Sequence, residues 1–105
     1  MTTLIVSRHA GALAWMKNVG VRGRHLAHLD AAALKGLRPG DVVVGTLPVP
    51  LAAAVIAAGA RYVHLTLPLA EAERGSELSA ADLHRLGASL AEYRVEGVAG
   101  DRTWI

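Results

Sequence analysis

Two aliphatic runs, Leu4-Ile5-Val6 and Val42-Val43-Val44, constrain the fold of this chain more than any other feature in it. Neither alternates with polar residues, so each needs cover on both faces, as a strand has inside a parallel sheet flanked by helices. Two further segments read as strands but mix polar and apolar residues. One is His25 to Asp30, where period two puts His28 and Asp30 on one face. The other is Arg61 to Leu67, where Tyr62, His64 and Thr66 oppose Val63, Leu65 and Leu67.

With the solid strands inside and the mixed ones outside, the expected fold is α/β: a small flavodoxin-like or Rossmann-like parallel sheet, order 2-1-3-4, with helices on both faces. Such sheets bind ligands beyond the carboxyl ends of their strands. The residues that follow the two central strands are therefore where chemistry is expected.

After the first strand come Ser7, Arg8 and His9. A helix then opens at Ala10 or Gly11, carries Leu13, Trp15 and Met16, and closes near Gly20. Its amino terminus points back at the crevice. After the third strand, Gly45-Thr46-Leu47-Pro48-Val49-Pro50 places Leu47 and Val49 before prolines, which keeps both extended and makes a stiff rim. Pro50 suits the first turn of a helix that ends at Gly59. Thr46 mirrors Ser7, a hydroxyl between a buried strand and a helix.

Arg8 suits a phosphate because its planar fork donates two parallel hydrogen bonds. The backbone N–H groups of Gly11 and Ala12 and the hydroxyls of Ser7 and Thr46 are candidate phosphate donors, with Leu47 in the rim. His9 is the candidate acid or base, and His64 and Asp30 are second choices. The competing reading of His9 is a solvated residue at a helix end, without chemistry.

Elsewhere, Ala31 to Leu37 reads as a short helical connector and Arg38-Pro39-Gly40-Asp41 as a turn. Pro68 to Leu78 is a polar loop that covers the crevice or links. Ser79 followed by Asp82 is an N-cap pattern, and Leu83, Leu86, Leu90 and Tyr93 follow at helical spacing, as the core stripe of a last helix. Residues 94–105 form either a last strand or hairpin, with Tyr93, Val95, Trp104 and Ile105, or a partner-contacting tail.

At 105 residues the chain makes one domain, too small to enclose a bulky ligand alone. No apolar run approaches the ~20 residues of a membrane span and no basic leader precedes the first strand, so a soluble, cytoplasmic protein is expected. There is no Cys, and His25 and His28 face opposite sides if their segment is a strand, so neither a metal site nor a cofactor is expected. The net charge is only +2, without a basic cluster, which disfavours duplex DNA. Nine of the eleven basic residues are Arg, which a GC-rich genome explains as readily as a phosphate ligand does.

Taken in order, Ser7-Arg8-His9-Ala10-Gly11-Ala12, His28-Leu29-Asp30, Gly40-Asp41, Gly45-Thr46-Leu47-Pro48-Val49, Gly59-Ala60-Arg61-Tyr62, His64-Leu65, Arg74-Gly75, Glu77-Leu78-Ser79 and Glu92-Tyr93-Arg94-Val95 carry a resemblance along nearly the whole chain. They resemble small stand-alone CRISPR-associated proteins found beside type III systems, related in fold to the Rossmann-like CARF domains that sense cyclic oligoadenylates. That family often has His where this chain has Pro50, so no role is carried to that position.

The resemblance implies a ring nuclease that cuts cyclic tetra-adenylate without metal, by attack of the ribose 2′-hydroxyl, and so switches off antiviral signalling. A ring of that size implies a homodimer. Three alternatives stay open. One is a module that binds or sequesters the nucleotide without cutting it, and another is a purely structural partner protein. The third is a histidine-phosphatase-like phosphoryl hydrolase, which places Arg-His-Gly after its first strand where this chain has Arg-His-Ala.

Overall fold

The two aliphatic runs lie side by side at the centre of one sheet. A computed structural model describes residues 1–67, 78–100 and 102–105. The elements run β1 (Thr3–Val6), α1 (Ala10–Asn18), β2 (Arg24–Leu26), α2 (Ala31–Lys35), β3 (Val42–Gly45), α3 (Val49–Ala57), β4 (Arg61–Thr66), α4 (Ala80–Arg85) and β5 (Ser89–Tyr93). The strand order is β2-β1-β3-β4-β5. The first four strands are parallel, in the order the sequence predicts, and β5 joins β4 antiparallel.

Alternation along the strands divides the core in two. Leu4, Val6, Val43 and Tyr62 pack beneath α2 and α3, with Val55 of α3 fully buried among them. Ile5, Val44 and Leu65 pack beneath α1 and α4, against Trp15, Met16 and Leu83. Each side chain buried in this way contributes about 1.5–3 kcal/mol, and a strand apolar on both faces secures two layers at once. No described helix is long and apolar enough to cross a membrane.

Local signals set the helix boundaries. Gly20 and Gly59 adopt φ of 98° and 86° after α1 and α3, where only glycine enters the left-handed region at little cost. Ser79 and Asp82 form a reciprocal capping box on α4, with N–H to oxygen distances of 3.1 and 3.0 Å.

Three expectations change. β2 stops at Leu26 because the Asp30 side chain accepts the Ala33 N–H (2.8 Å) as the N-cap of α2, which takes His28 and Asp30 out of any strand. α4 stops at Arg85, and Gly87 (φ 85°) turns the chain back, so Leu90 and Tyr93 belong to β5 and not to a helical stripe. With Tyr93 paired opposite Tyr62, β4 is an interior strand instead of an edge, and Tyr62 is only 2% exposed. Trp104 and Ile105 lie exposed outside any strand. The loop expected over Pro68 to Leu78 falls outside the described residues except for Leu78.

The start of β1 is held by one buried carboxylate. Asp41 accepts the Thr2 N–H through Oδ1 and the Arg38 N–H through Oδ2, both at 2.9 Å, which ties the turn before β3 to the chain entering β1. The Arg38 and Thr2 N–H groups together hold the Asp41 carboxyl below its ordinary range. A carboxyl whose pKa is lowered by folding stabilises the fold only while ionised. Its contribution is complete above the unfolded value of about 4 and is lost as pH falls through the folded value. Asp41→Asn is expected to lower the Tm by several degrees near neutral pH and to flatten the decline in Tm expected of the wild type below about pH 4. Thermal melts of both proteins across that range check it, and identical melting at neutral pH would remove the carboxylate from this role.

Candidate functional site

The crevice forms where β1 and β3 end and the chain leaves β2. It is an open cleft of about 440 Å³ lined by Ser7, Arg8, His9, His28, Thr46 and Leu47, with Val6, Leu29 and Leu51 at its apolar base.

Ser7 extends the β1–β2 ladder by one rung, its N–H donating to the Leu26 carbonyl (3.0 Å). Its own carbonyl lies 2.7 Å from His25 Nε2, which must therefore carry the proton and donate. The Ser7 hydroxyl oxygen accepts the His9 N–H (3.1 Å), which leaves the hydroxyl proton available to a ligand. Ser7 thus fixes the backbone from which Arg8 and His9 project. Arg8 is exposed, and no carboxylate among the described residues pairs with it.

His9 is the N-cap of α1. Its backbone is extended (φ −92°, ψ 111°) and Nδ1 accepts the Ala12 N–H at 2.9 Å. That lone pair is then in use, so the neutral ring carries its proton on Nε2 and presents a donor. The N–H of Ala12 is spent on the cap and its side chain is buried. Gly11 lies directly under the Leu78 carbonyl: a Cβ there would overlap that oxygen, so this glycine serves chain packing. The Ala10 and Gly11 N–H groups remain the helix-end donors without an intrahelical partner.

On the opposite wall, the Thr46 hydroxyl donates to the Leu65 carbonyl (2.8 Å) and faces the cleft with lone pairs only. The Leu47 N–H donates to the Tyr62 hydroxyl (2.9 Å), so Leu47 contributes its side chain to the cleft wall. Asp30 caps α2 and does not line the cleft, whereas His28 does. The sequence held the signal for His28: Asp30 before Ala31-Ala32-Ala33-Leu34 is a helix start, and it moves His28 from a strand into a loop at the sheet's carboxyl edge.

His64 lies across Leu47, in a second cavity of about 320 Å³ with Tyr62, Thr66, Tyr93, Val49 and Val95. Its Nδ1 is 2.6 Å from the Tyr62 hydroxyl, which also lies 3.1 Å from the Gly45 carbonyl. Ser7, Arg8 and His9 therefore meet Thr46, Leu47 and His28 in one cleft, and His64 faces another. No three of the described His, Asp and Glu side chains converge as a metal site would require.

Such a cleft suits an anionic ligand: one guanidinium, one imidazole N–H, one hydroxyl and one further imidazole, on backbone fixed from both sides. No curated protein and no solved structure matches the chain. From residue 4 to residue 96, a stretch that carries the whole cleft and, apart from Thr3 of β1, every described strand, it matches the family described as "Putative CRISPR-associated protein (Cas_VVA1548)", and the chain belongs to that family.

Proposed function

We propose that this CRISPR-associated protein is a ring nuclease of type III defence that cleaves cyclic tetra-adenylate. The observation that carries the reading is the meeting of Arg8, His9 Nε2–H, the Ser7 hydroxyl and His28 in one cleft at the carboxyl edge of the sheet. These are the group types that an in-line attack on a phosphodiester uses, and membership of a CRISPR-associated family favours a signalling nucleotide as the ligand.

In the proposed reaction a ribose 2′-oxygen attacks the adjacent phosphorus. The P–O2′ bond forms as the P–O5′ bond breaks, which leaves a 2′,3′-cyclic phosphate and a 5′-hydroxyl. The 2′ proton passes to His28, whose ring nitrogens make no hydrogen bond within the described structure, and the departing 5′-oxygen takes a proton from solvent. Arg8 clamps the non-bridging oxygens, and the Ser7 hydroxyl and His9 Nε2–H add hydrogen bonds to the charge that builds on them. A neutral imidazole fixed as a donor acts here as an electrophile, not as the proton carrier. Alignment of 2′-oxygen, phosphorus and 5′-oxygen supplies much of the rate.

Cleavage followed by chromatography in EDTA is the deciding experiment. Full activity with 2′,3′-cyclic phosphate products is expected, and activity lost in EDTA and restored by Mn²⁺ would overturn the mechanism. An intact ring together with a raised melting temperature would replace cleavage by sequestration. Arg8→Ala is expected to weaken ring binding, and His28→Ala to slow cleavage by about 10²- to 10⁴-fold. His9→Ala should slow it by about 10²- to 10³-fold, as loss of an oxyanion donor does. His9→Asn, which keeps an N-cap acceptor, separates folding from chemistry.

The ring carries four phosphates, and one protomer offers a single Arg8–His9 set on one side of it. A two-fold homodimer would present two such sets to related phosphates, with the ring on its axis. Light scattering at micromolar concentration should give the dimer mass, and titration should give one ring per two chains. A monomer that binds one ring per chain would overturn this arrangement.

A further inference from the structure

The cavity on the far side of Leu47 has a lining unlike that of the Arg8 cleft. Antiparallel pairing sets Tyr93 of β5 directly opposite Tyr62 of β4, and period two puts His64 and Thr66 on the same face. The His64 ring meets Tyr62 at 5.7 Å and 69°, and Tyr93 at 5.9 Å and 90°, two edge-to-face contacts. Tyr62 is buried, but Tyr93 is 50% exposed beside Val49, itself 70% exposed, so an aromatic and apolar surface stands open on the β4–β5 side of the sheet.

Two polar groups reach this surface, and one of them has no fixed sense. Tyr62 has one proton for two acceptors. When it goes to the Gly45 carbonyl, His64 Nδ1 donates to Tyr62 and Nε2 is an acceptor; when it goes to Nδ1, Nε2 becomes a donor. Thr66 adds a hydroxyl with both capacities. A purely apolar ligand would leave these groups unpaired, whereas a flat heteroaromatic ring with donors and acceptors on its edge would satisfy them. Leu47 lines both cavities, so a ring held here is one side chain away from a phosphate held by Arg8.

We propose that this cavity is a nucleobase subsite: the base of a nucleotide whose phosphate occupies the Arg8 cleft stacks on Tyr93, with its polar edge toward His64 and Thr66. The assignment rests on the nucleotide reading above, and in that reading the base is adenine. Stacking on an aromatic face supplies affinity with little choice among bases, and His64 and Thr66 supply the edge contacts.

Calorimetric titration of the full chain with AMP and with ribose 5-phosphate separates base from phosphate. The wild type is expected to prefer AMP by about 5- to 150-fold, the effect of one base stacked on an aromatic ring. Tyr93→Ala should abolish that preference while leaving ribose 5-phosphate affinity unchanged, and Tyr93→Phe should keep it. Arg8→Ala should weaken both ligands. If Tyr93→Ala melts early, Tyr93→Leu, which keeps apolar bulk without an aromatic face, takes its place. Equal affinities in the wild type, no measurable binding of either ligand, or a preference that survives loss of the Tyr93 ring would each overturn the subsite. Cleavage does not enter this readout. A protein that prefers AMP through Tyr93 but leaves the ring intact keeps the subsite and loses the nuclease, and one that cuts the ring without preferring AMP does the reverse.

Discussion

The Tyr62 hydroxyl accepts the Leu47 N–H at 2.9 Å and stands 3.1 Å from the Gly45 carbonyl and 2.6 Å from His64 Nδ1, so the turn that leaves β3 takes its shape from one buried oxygen. That oxygen works only as a neutral phenol, because a phenolate accepts but cannot donate. Burial pushes its pKa up, against the Leu47 N–H, which favours the anion, and so the group keeps its proton. Gly45 and Leu47 are themselves buried. Without the hydroxyl the buried Leu47 N–H would lose its partner, at about 1–3 kcal/mol. The wall shared by both cavities therefore depends on a residue that touches the Arg8 cleft only through Leu47.

The rest of the crevice is fixed in the same manner. The Thr46 hydroxyl ties the same turn to Leu65 of β4, and Pro48 and Pro50 restrict the backbone beyond it. On the other side, Leu26 and His25 of β2 hold Ser7 by its N–H and its carbonyl. Two rigid walls thus face each other across a gap into which the exposed Arg8 side chain projects. A positioned hydroxyl and imidazole N–H beside one exposed cation suit a ligand whose charge must be met at a set place.

Much of this was legible in the sequence, for reasons that also mark where legibility ended. Leu4 to Val6 and Val42 to Val44 declared a two-sided core, and the glycines and prolines around α1 and α3 act through their own φ, so local reading sufficed. β5 is different. Leu83, Leu86, Leu90 and Tyr93 fit a helical period, yet Gly87 ends the helix, and the pairing of Tyr93 with Tyr62 is a long-range contact that no local pattern announces. For that reason the alternating pattern puts Tyr62 on an outer strand: alternation reports that two faces differ, not that a further strand lies beyond or that α3 covers one of them.

The site shows a second limit, set by competition for hydrogen bonds. Sequence reveals which donors exist near a helix end, but neighbouring side chains and backbone claim them first. His9 takes the Ala12 N–H, Leu65 takes the Thr46 proton, and Tyr62 takes the Leu47 N–H. Among the side chains, what stays open to a ligand is narrower than the residue types suggest: the Arg8 guanidinium, His9 Nε2–H, the Ser7 proton and the His28 ring. Arg8 is the one full positive charge that these groups carry while both imidazoles are neutral. A single phosphate is well matched to such a set, because one guanidinium balances it and the neutral donors share the remaining lone pairs. A ligand with several phosphates is not matched by one copy, since each further charge entering the cleft would meet neutral dipoles alone. A polyanionic ring would then need a second protomer for reasons of charge, independently of its width.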